Sequence, residues 1–113
     1  MAKLCVVDHT EDYTLQSVES GSIHTNNGAS STVILTLPSD PSNGDFFIFI
    51  NFITVTDSFQ LFPGPSHFIK AHGVVSWDAG GRSNGVRGSK LTLIFDGIDS
   101  WYQKHRILNW VQL

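Results

Sequence analysis

The ten residues Phe46-Phe47-Ile48-Phe49-Ile50-Asn51-Phe52-Ile53-Thr54-Val55 constrain this chain more than any other segment. A membrane-crossing helix needs about 20 apolar residues. This run is half that length and is bounded by Asn43-Gly44-Asp45 and Asp57. As a strand it would reach roughly 33 Å, at about 3.3 Å per residue. Strand alternation sends Phe46, Ile48, Ile50, Phe52 and Thr54 to one face and Phe47, Phe49, Asn51, Ile53 and Val55 to the other. Both faces are nearly all apolar. Parallel sheets cover both faces with helices, yet no segment longer than ten residues here has helical periodicity. The second face must lie under another sheet or another subunit. The run therefore predicts an oligomer.

At 113 residues the chain is expected to be one β domain, with N-terminal strands or a docking arm over 1–31 and a β core over 32–113. Charged residues make up 15%, against about 25% in ordinary soluble domains. So sparse a charge predicts an outer surface spent largely on partner contacts. A net charge of −3 argues against nucleic acid, whose binders carry a basic stripe. Met1-Ala2-Lys3 leads into only four apolar residues before Asp8, so no secretory signal and no membrane anchor are expected. Cys5 is the single cysteine and has no partner for an intrachain disulfide. A reducing cytoplasm is the expected place of synthesis.

Charge is unevenly distributed. Up to Asp57 the chain has seven acids and one base, Lys3, a net of −6; after it come three acids and six bases, a net of +3. If the two halves fold to different ends, the subunit is acidic at one and basic at the other, which suits docking to a complementary partner. If they interleave, the charges merely solvate the surface.

Short strands cut by turn chemistry fill the rest. Strands are predicted at Lys3–Val7, Tyr13–Val18, Ser22–Thr25, Thr32–Leu37, Phe59–Phe62, His67–His72, Lys90–Phe95, Ser100–Lys104 and Arg106–Val111. Asn26-Asn27-Gly28 is a strong turn, because Asn and Gly tolerate positive φ. Val74–Lys90, with Gly80, Gly81, Gly85 and Gly88, reads as an irregular loop. Regular short strands with turn signals predict an all-β fold, a compact antiparallel β-sandwich or jelly-roll-like barrel.

No catalytic constellation stands out. The five histidines His9, His24, His67, His72 and His105 contain no H-x-H pair, and a zinc site needs three or four converging ligands. The remaining metal option is one histidine per chain (His24, His67 or His72) on a symmetry axis. No serine lies in a G-x-S-x-G elbow. Asp96 and Asp99, or Asp8 and Asp12, sit in turns, where Asp bonds local backbone. Gly80-Gly81-Arg82-Ser83-Asn84-Gly85 lacks the Lys-Ser/Thr of a phosphate loop. Trp77, Trp101, Tyr102 and Trp110 serve packing or interfaces, or else a sugar platform. The expectation is no enzyme, no cofactor and no metal.

The order of motifs carries a resemblance. Leu35-Thr36-Leu37-Pro38 ends one strand and Asn43-Gly44-Asp45 opens the Phe/Ile strand. Phe59-Gln60-Leu61-Phe62 and His67-Phe68-Ile69-Lys70-Ala71-His72-Gly73 follow. Gly88-Ser89-Lys90-Leu91-Thr92-Leu93-Ile94-Phe95-Asp96-Gly97 then leads to Ser100-Trp101-Tyr102. From Thr32 to Tyr102 this resembles a small, usually trimeric β domain of tailed-bacteriophage virion proteins: tail-fibre termini, head fibres and capsid cement or decoration proteins. The family often has an Ile-x-Gly step where Ala71-His72-Gly73 stands here. The resemblance implies a homotrimeric cement protein on the virion capsid surface, made in the bacterial host cytoplasm and bound to the major capsid protein. With only about 30 residues ahead of the matched region, a fibre shaft is not expected. The alternative it implies is a receptor- or glycan-binding tail-fibre tip. On the first reading Phe47, Phe49, Ile53, Trp101 and Trp110 form the core or trimer interface, and Lys3, Arg82 and Arg87 contact the capsid.

Overall fold

The computed structural model describes residues 5–55, 58–71, 75–76, 80–83, 87–107 and 110–112. Among these the chain is all-β. It forms β1 (Val6–Asp8), β2 (Tyr13–Thr14), β3 (Ile23–Thr25), β4 (Val33–Thr36), β5 (Phe46–Ile50) and β6 (Phe59–Phe62). Then come β7 (Phe68–Ala71), β8 (Val75–Ser76), β9 (Gly81–Ser83), β10 (Lys90–Phe95), β11 (Ser100–Ile107) and β12 (Trp110–Gln112). A single 3-10 turn at Ser17–Glu19 is the only helical element described.

The strands form two sheets. One has seven strands in the order β1-β3-β5-β10-β11-β7-β8; the other has five, in the order β12-β9-β6-β4-β2. Up to β6 the chain alternates between them, one strand to each sheet per coil. Returning to the same sheet after a full coil restores the strand direction. β1, β3 and β5 are therefore parallel neighbours, and so are β2, β4 and β6. From β7 on, hairpins and returns dominate, and β10 lies antiparallel between β5 and β11.

This winding corrects the expected antiparallel arrangement. Five of the ten pairings described are parallel. Parallel strands need a long crossover, commonly a helix, and the absence of helices had argued against them. Here the crossover is itself a strand of the opposite sheet, which needs no helical periodicity.

One core joins both sheets. Phe47, Phe49, Ile69, Leu91, Leu93, Phe95 and Trp101 from the seven-stranded sheet meet Val33, Leu35, Phe59, Leu61 and Trp110 from the other. Phe49 and Phe59 meet edge to face across the core at 6.4 Å, and Phe59 lies 5.6 Å from Trp110. Such aromatic pairs add about 0.5–1.5 kcal/mol beyond area burial.

The long apolar run is shorter as a strand than its composition predicts. β5 ends at Ile50, because Asn51 redirects the backbone. Its side-chain amide donates to the Ile53 carbonyl at 2.7 Å, and its Oδ1 accepts from buried Asn26 at 2.9 Å. The Phe52 N–H in turn donates to Asn26 Oδ1 at 2.7 Å. Asn offers such local bonds in competition with the ladder. Ile53 ends half-buried and Val55 exposed, beyond the strand.

Two further expectations change. The glycine-rich segment contains β8 and β9, and β9 pairs with both β6 and β12. Among the described residues the N-terminal segment contributes strands to the sheet, with β1 hydrogen-bonded in register to β3, and β3 to β5; residues 1–4 lie outside the described residues. The Asn26-Asn27-Gly28 turn forms as expected, with Gly28 at φ +87°.

Gly97 gives a sharp test of local backbone. Its φ is +84°, and a Cβ there would lie 2.8 Å from Asn43 Cβ. Asp96 anchors the same turn by accepting N–H bonds from Ile98, Asp99 and Ser100. Burial would raise the Asp96 carboxyl, but those amides and nearby Lys70 outweigh it and hold it below the usual carboxylate range. Gly97→Ala is expected to lower stability by about 1–3 kcal/mol through strain and clash. A urea midpoint equal to wild type would contradict this.

Candidate functional site

The two faces of the seven-stranded sheet differ in what covers them. The inner face is sealed by the core, with Phe47, Phe49, Leu91, Leu93 and Trp101 at 0% exposure. On the outer face, strand register sets Val6, Ile23, Ile48 and Thr92 in one row. A second row holds Phe46, Ile94, Tyr102 and Lys70, and a third Asp8, Thr25, Ile50 and Lys90. Phe46, Ile48, Ile50 and Ile94 are half-buried, and the turn at Gly21 approaches the Phe46 ring. With strands about 4.8 Å apart, the face spans roughly 29 Å between its outermost strands. The apolar patch within it is confined to the neighbouring strands β5 and β10 and is flanked in the same rows by Asp8, Lys70 and Lys90; it is the candidate interaction surface.

The charge halves do not interleave. Strands β1, β3 and β5 lie together at one side of the seven-stranded sheet, and β10, β11, β7 and β8 at the other. The five-stranded sheet repeats the division, with β2 and β4 apart from β6, β9 and β12. Asp8, Glu11, Asp12 and Glu19 therefore collect around β1 and β2, whereas Lys70 on β7 lies beside Asp96, and Asp96 and Asp99 sit in the turn that leads into β11; the side chains of Lys104 and Arg106 on β11 lie outside the described residues.

Beside β1 lies a buried histidine chain that the sequence spacing does not reveal. His9 Nε2 is 2.8 Å from His24 Nδ1, and His24 Nε2 is 2.6 Å from Ser22 Oγ. Ser22 Oγ donates to the Glu19 carbonyl at 2.6 Å. One consistent pattern of donors then runs from His9 Nε2–H to His24 Nδ1 and from His24 Nε2–H to Ser22 Oγ. Burial pushes His24 down to about 4, with His9 adding repulsion; Glu19 opposes both. Burial likewise lowers His9, against the pull of Glu19 and Asp8. His9 also stacks on Tyr13, whose hydroxyl donates to the Glu19 carboxylate at 3.0 Å.

Serine, imidazole and second imidazole are the components of a nucleophile relay, and Ser22 lines a groove of about 310 Å³ with Cys5, Val7, Val18 and Gly21. The chemistry for attack is missing. The Ser22 proton is committed to the Glu19 carbonyl, and a base with pKa near 4 is poorly matched to neutral pH. The adjacent N–H groups of Ser20, Gly21 and Ser22 are all bonded within the fold, to Ser17, Phe46 and Glu19. No pair of donors is left to hold an oxyanion there. The chain is a closed hydrogen-bonded clasp between β1 and β3.

The residues expected to act divide as follows. Phe47, Phe49, Trp101 and Trp110 are fully buried in the protomer's own core. Ile53 is half-buried beside Ala29, Val55 and Ser58. Arg87 is exposed, with its guanidinium 5.9 Å from the Phe52 ring. Arg82 sits on β9, and its side chain lies outside the described residues, as do Lys3, His72 and Trp77. His24, at 0% exposure, is unavailable to a symmetry axis. Among the described residues no three His, Cys, Asp or Glu side chains converge as metal ligands. Compared with models of known protein families and with curated proteins, the sequence matches none.

Proposed function

We propose that this chain is a structural virion protein of a tailed bacteriophage, a homotrimeric capsid cement protein. In this reading the two sheets are the leaves of a β-sandwich, and the protein acts without an enzymatic step. It binds the major capsid protein on the outer head surface and stabilises the assembled shell by mass action, since it binds that state alone. The observation that carries the reading is the outer face of the seven-stranded sheet. Phe46, Ile48, Ile50 and Ile94 give a lone protomer a half-buried apolar patch on β5 and β10 that a partner would cover. The motif rhythm from Thr32 to Tyr102 adds the class of partner.

Purified protein mixed with undecorated phage heads should appear as a regular array of many copies in electron micrographs. A few copies at the tail tip would favour the receptor-binding alternative, and binding to neither would overturn the proposal. β1 is built into the sheet, so the docking role of the N-terminus is tested by removing Met1–Leu4 only. If those residues supply the contact, the shortened protein keeps its oligomer and loses decoration. Unchanged occupancy would move the contact to the glycine-rich segment around Arg82 and Arg87.

A further inference from the structure

We propose that the open edge of β1 is a strand-addition site, and that its occupant is an extended partner segment in which basic and apolar residues alternate. The inference specifies how the partner of the reading above is held, and rests on that reading only for the partner's identity.

Three observations select the site and its occupant. First, β1 is the outermost strand of the seven-stranded sheet and pairs, among the described strands, with β3 alone. The Cys5 carbonyl and the His9 N–H are bonded to β3, so by alternation Val6 and Asp8 turn their N–H and C=O groups outward. A strand laid there continues the ladder, its backbone bonds supplying affinity and its alternate side chains specificity. Second, a groove runs beside that edge. Val7 lies opposite buried His24, so Cys5 and Val7 face inward, and with Val18 and Glu19 they line a space of about 310 Å³. Val18 is 92% exposed. The adjacent N–H groups of Ser20, Gly21 and Ser22 are already bonded within the fold, so this side offers apolar contact. Third, the other face of the edge is acidic. Asp8 shares the outer face with Val6, which is 62% exposed. Asp8 accepts from the Thr25 hydroxyl, a neutral donor that leaves its charge in place. Glu11 and Asp12 follow β1, and between Cys5 and Val55 the chain has no Lys or Arg.

These features set the pattern of the occupant. Side chains of an added strand alternate between the two faces. Those on the inner side meet Val7 and Val18 and are apolar. Those on the outer side lie along Val6 and reach Asp8. Lys and Arg suit that path, because their stems pack on apolar surface while the charge stays in water. A second copy of β1 fits poorly. Two-fold pairing of the same edge would bring Asp8 and Glu19 toward their equivalents, and like charges at an interface are strongly disfavoured. Charged edge strands guard sheets against such self-pairing, and the same charge admits a basic strand.

Nuclear magnetic resonance of the full chain with a capped heptapeptide of alternating Lys and Val tests the site. The peptide should shift amide resonances saturably at Val6, Val7, Asp8 and Val18 to Ser22, whereas a Glu/Val counterpart should leave them in place. Val6→Pro removes the outward N–H and no bond to β3, and Pro is tolerated on edge strands. It should weaken peptide binding about tenfold, the effect of losing one or two backbone hydrogen bonds. Val18→Arg, at a side chain almost wholly in solvent, should weaken binding too by placing a base in the groove. Binding that survives Val6→Pro would overturn strand addition, and binding that survives Val18→Arg the part of the groove in it. Equal response to both peptides would overturn the basic occupant. A wild-type dimer whose β1 amides resist exchange without peptide would replace that occupant with a second copy. Absence of saturable shifts overturns the inference and leaves the cement reading standing. Wild type that binds the peptide at β1 but no phage heads overturns that reading and leaves the edge site in place.

Discussion

Phe49→Ala is expected to lower the unfolding free energy by about 3–5 kcal/mol, the usual effect of emptying a buried aromatic site. Domains of this kind have only about 5–15 kcal/mol in total, so the variant should unfold at much lower urea. The magnitude follows from position. Phe49 is fully buried, and its ring contacts Phe47 and His24 within its own sheet and Phe59 from the opposite one. The cavity would open where the two sheets meet, and neighbours on rigid strands collapse poorly into it. Phe49→Asp should prevent folding altogether by burying an unpaired charge. Ile53→Asp is the informative contrast. Ile53 is half-buried beyond the end of β5, so its carboxylate reaches water and the loss should stay near 1 kcal/mol. Equal destabilisation by Phe49→Ala and Ile53→Asp in urea titrations would contradict this placement of the core.

Stability should also fall as the solution is acidified between pH 6.5 and 4. His24 titrates at about 4 in the folded protein, against about 6.5 in an unfolded chain. Across that window the unfolded state binds more protons than the native state, so unfolding takes up protons and acid favours it. His24 alone contributes a loss of about 2.5 kcal/mol by pH 4.5. His9, lowered by the same burial, acts in the same direction. Physically, a proton added to His24 Nδ1 would face His9 Nε2 at 2.8 Å, and His9 must give up its own donor there. Glu19, Asp8 and Tyr13 surround the pair and partly compensate the added charge. Urea midpoints at pH 7 and pH 4.5 measure the effect. Equal midpoints would show that the histidines are solvated or already charged in the fold.

The clasp was illegible in the sequence for a simple reason. His9 and His24 are 15 positions apart, and neither forms a ligand or catalytic motif with a neighbour. They meet because β1 and β3 lie side by side in parallel register, Val7 opposite His24. The signal that points to this pair is alternation on a strand whose partner is known. Parallel pairing of two strands separated by a strand of the other sheet supplies that partner, and local pattern gives no access to it.

Other elements were fully legible. Phe59–Phe62 and Lys90–Phe95 form where alternation and flanking turn residues place them. The Asp96-Gly97 turn follows from the capacity of Asp to accept local N–H bonds and of Gly to take positive φ. The buried status of Phe47, Phe49, Leu91 and Leu93 follows from apolar alternation and sheet register. Local chemistry thus determined that this chain is all-β, where most strands and turns lie, and that one strand is apolar on both faces. Tertiary structure decided what those strands do together. It chose parallel coils over antiparallel hairpins, let Asn51 and Asn26 end β5 early, and set the strands of the two halves of the chain on opposite sides of each sheet. These outcomes depend on which distant segments become neighbours, and strand propensity is indifferent to direction and partner; only the packed core distinguishes them.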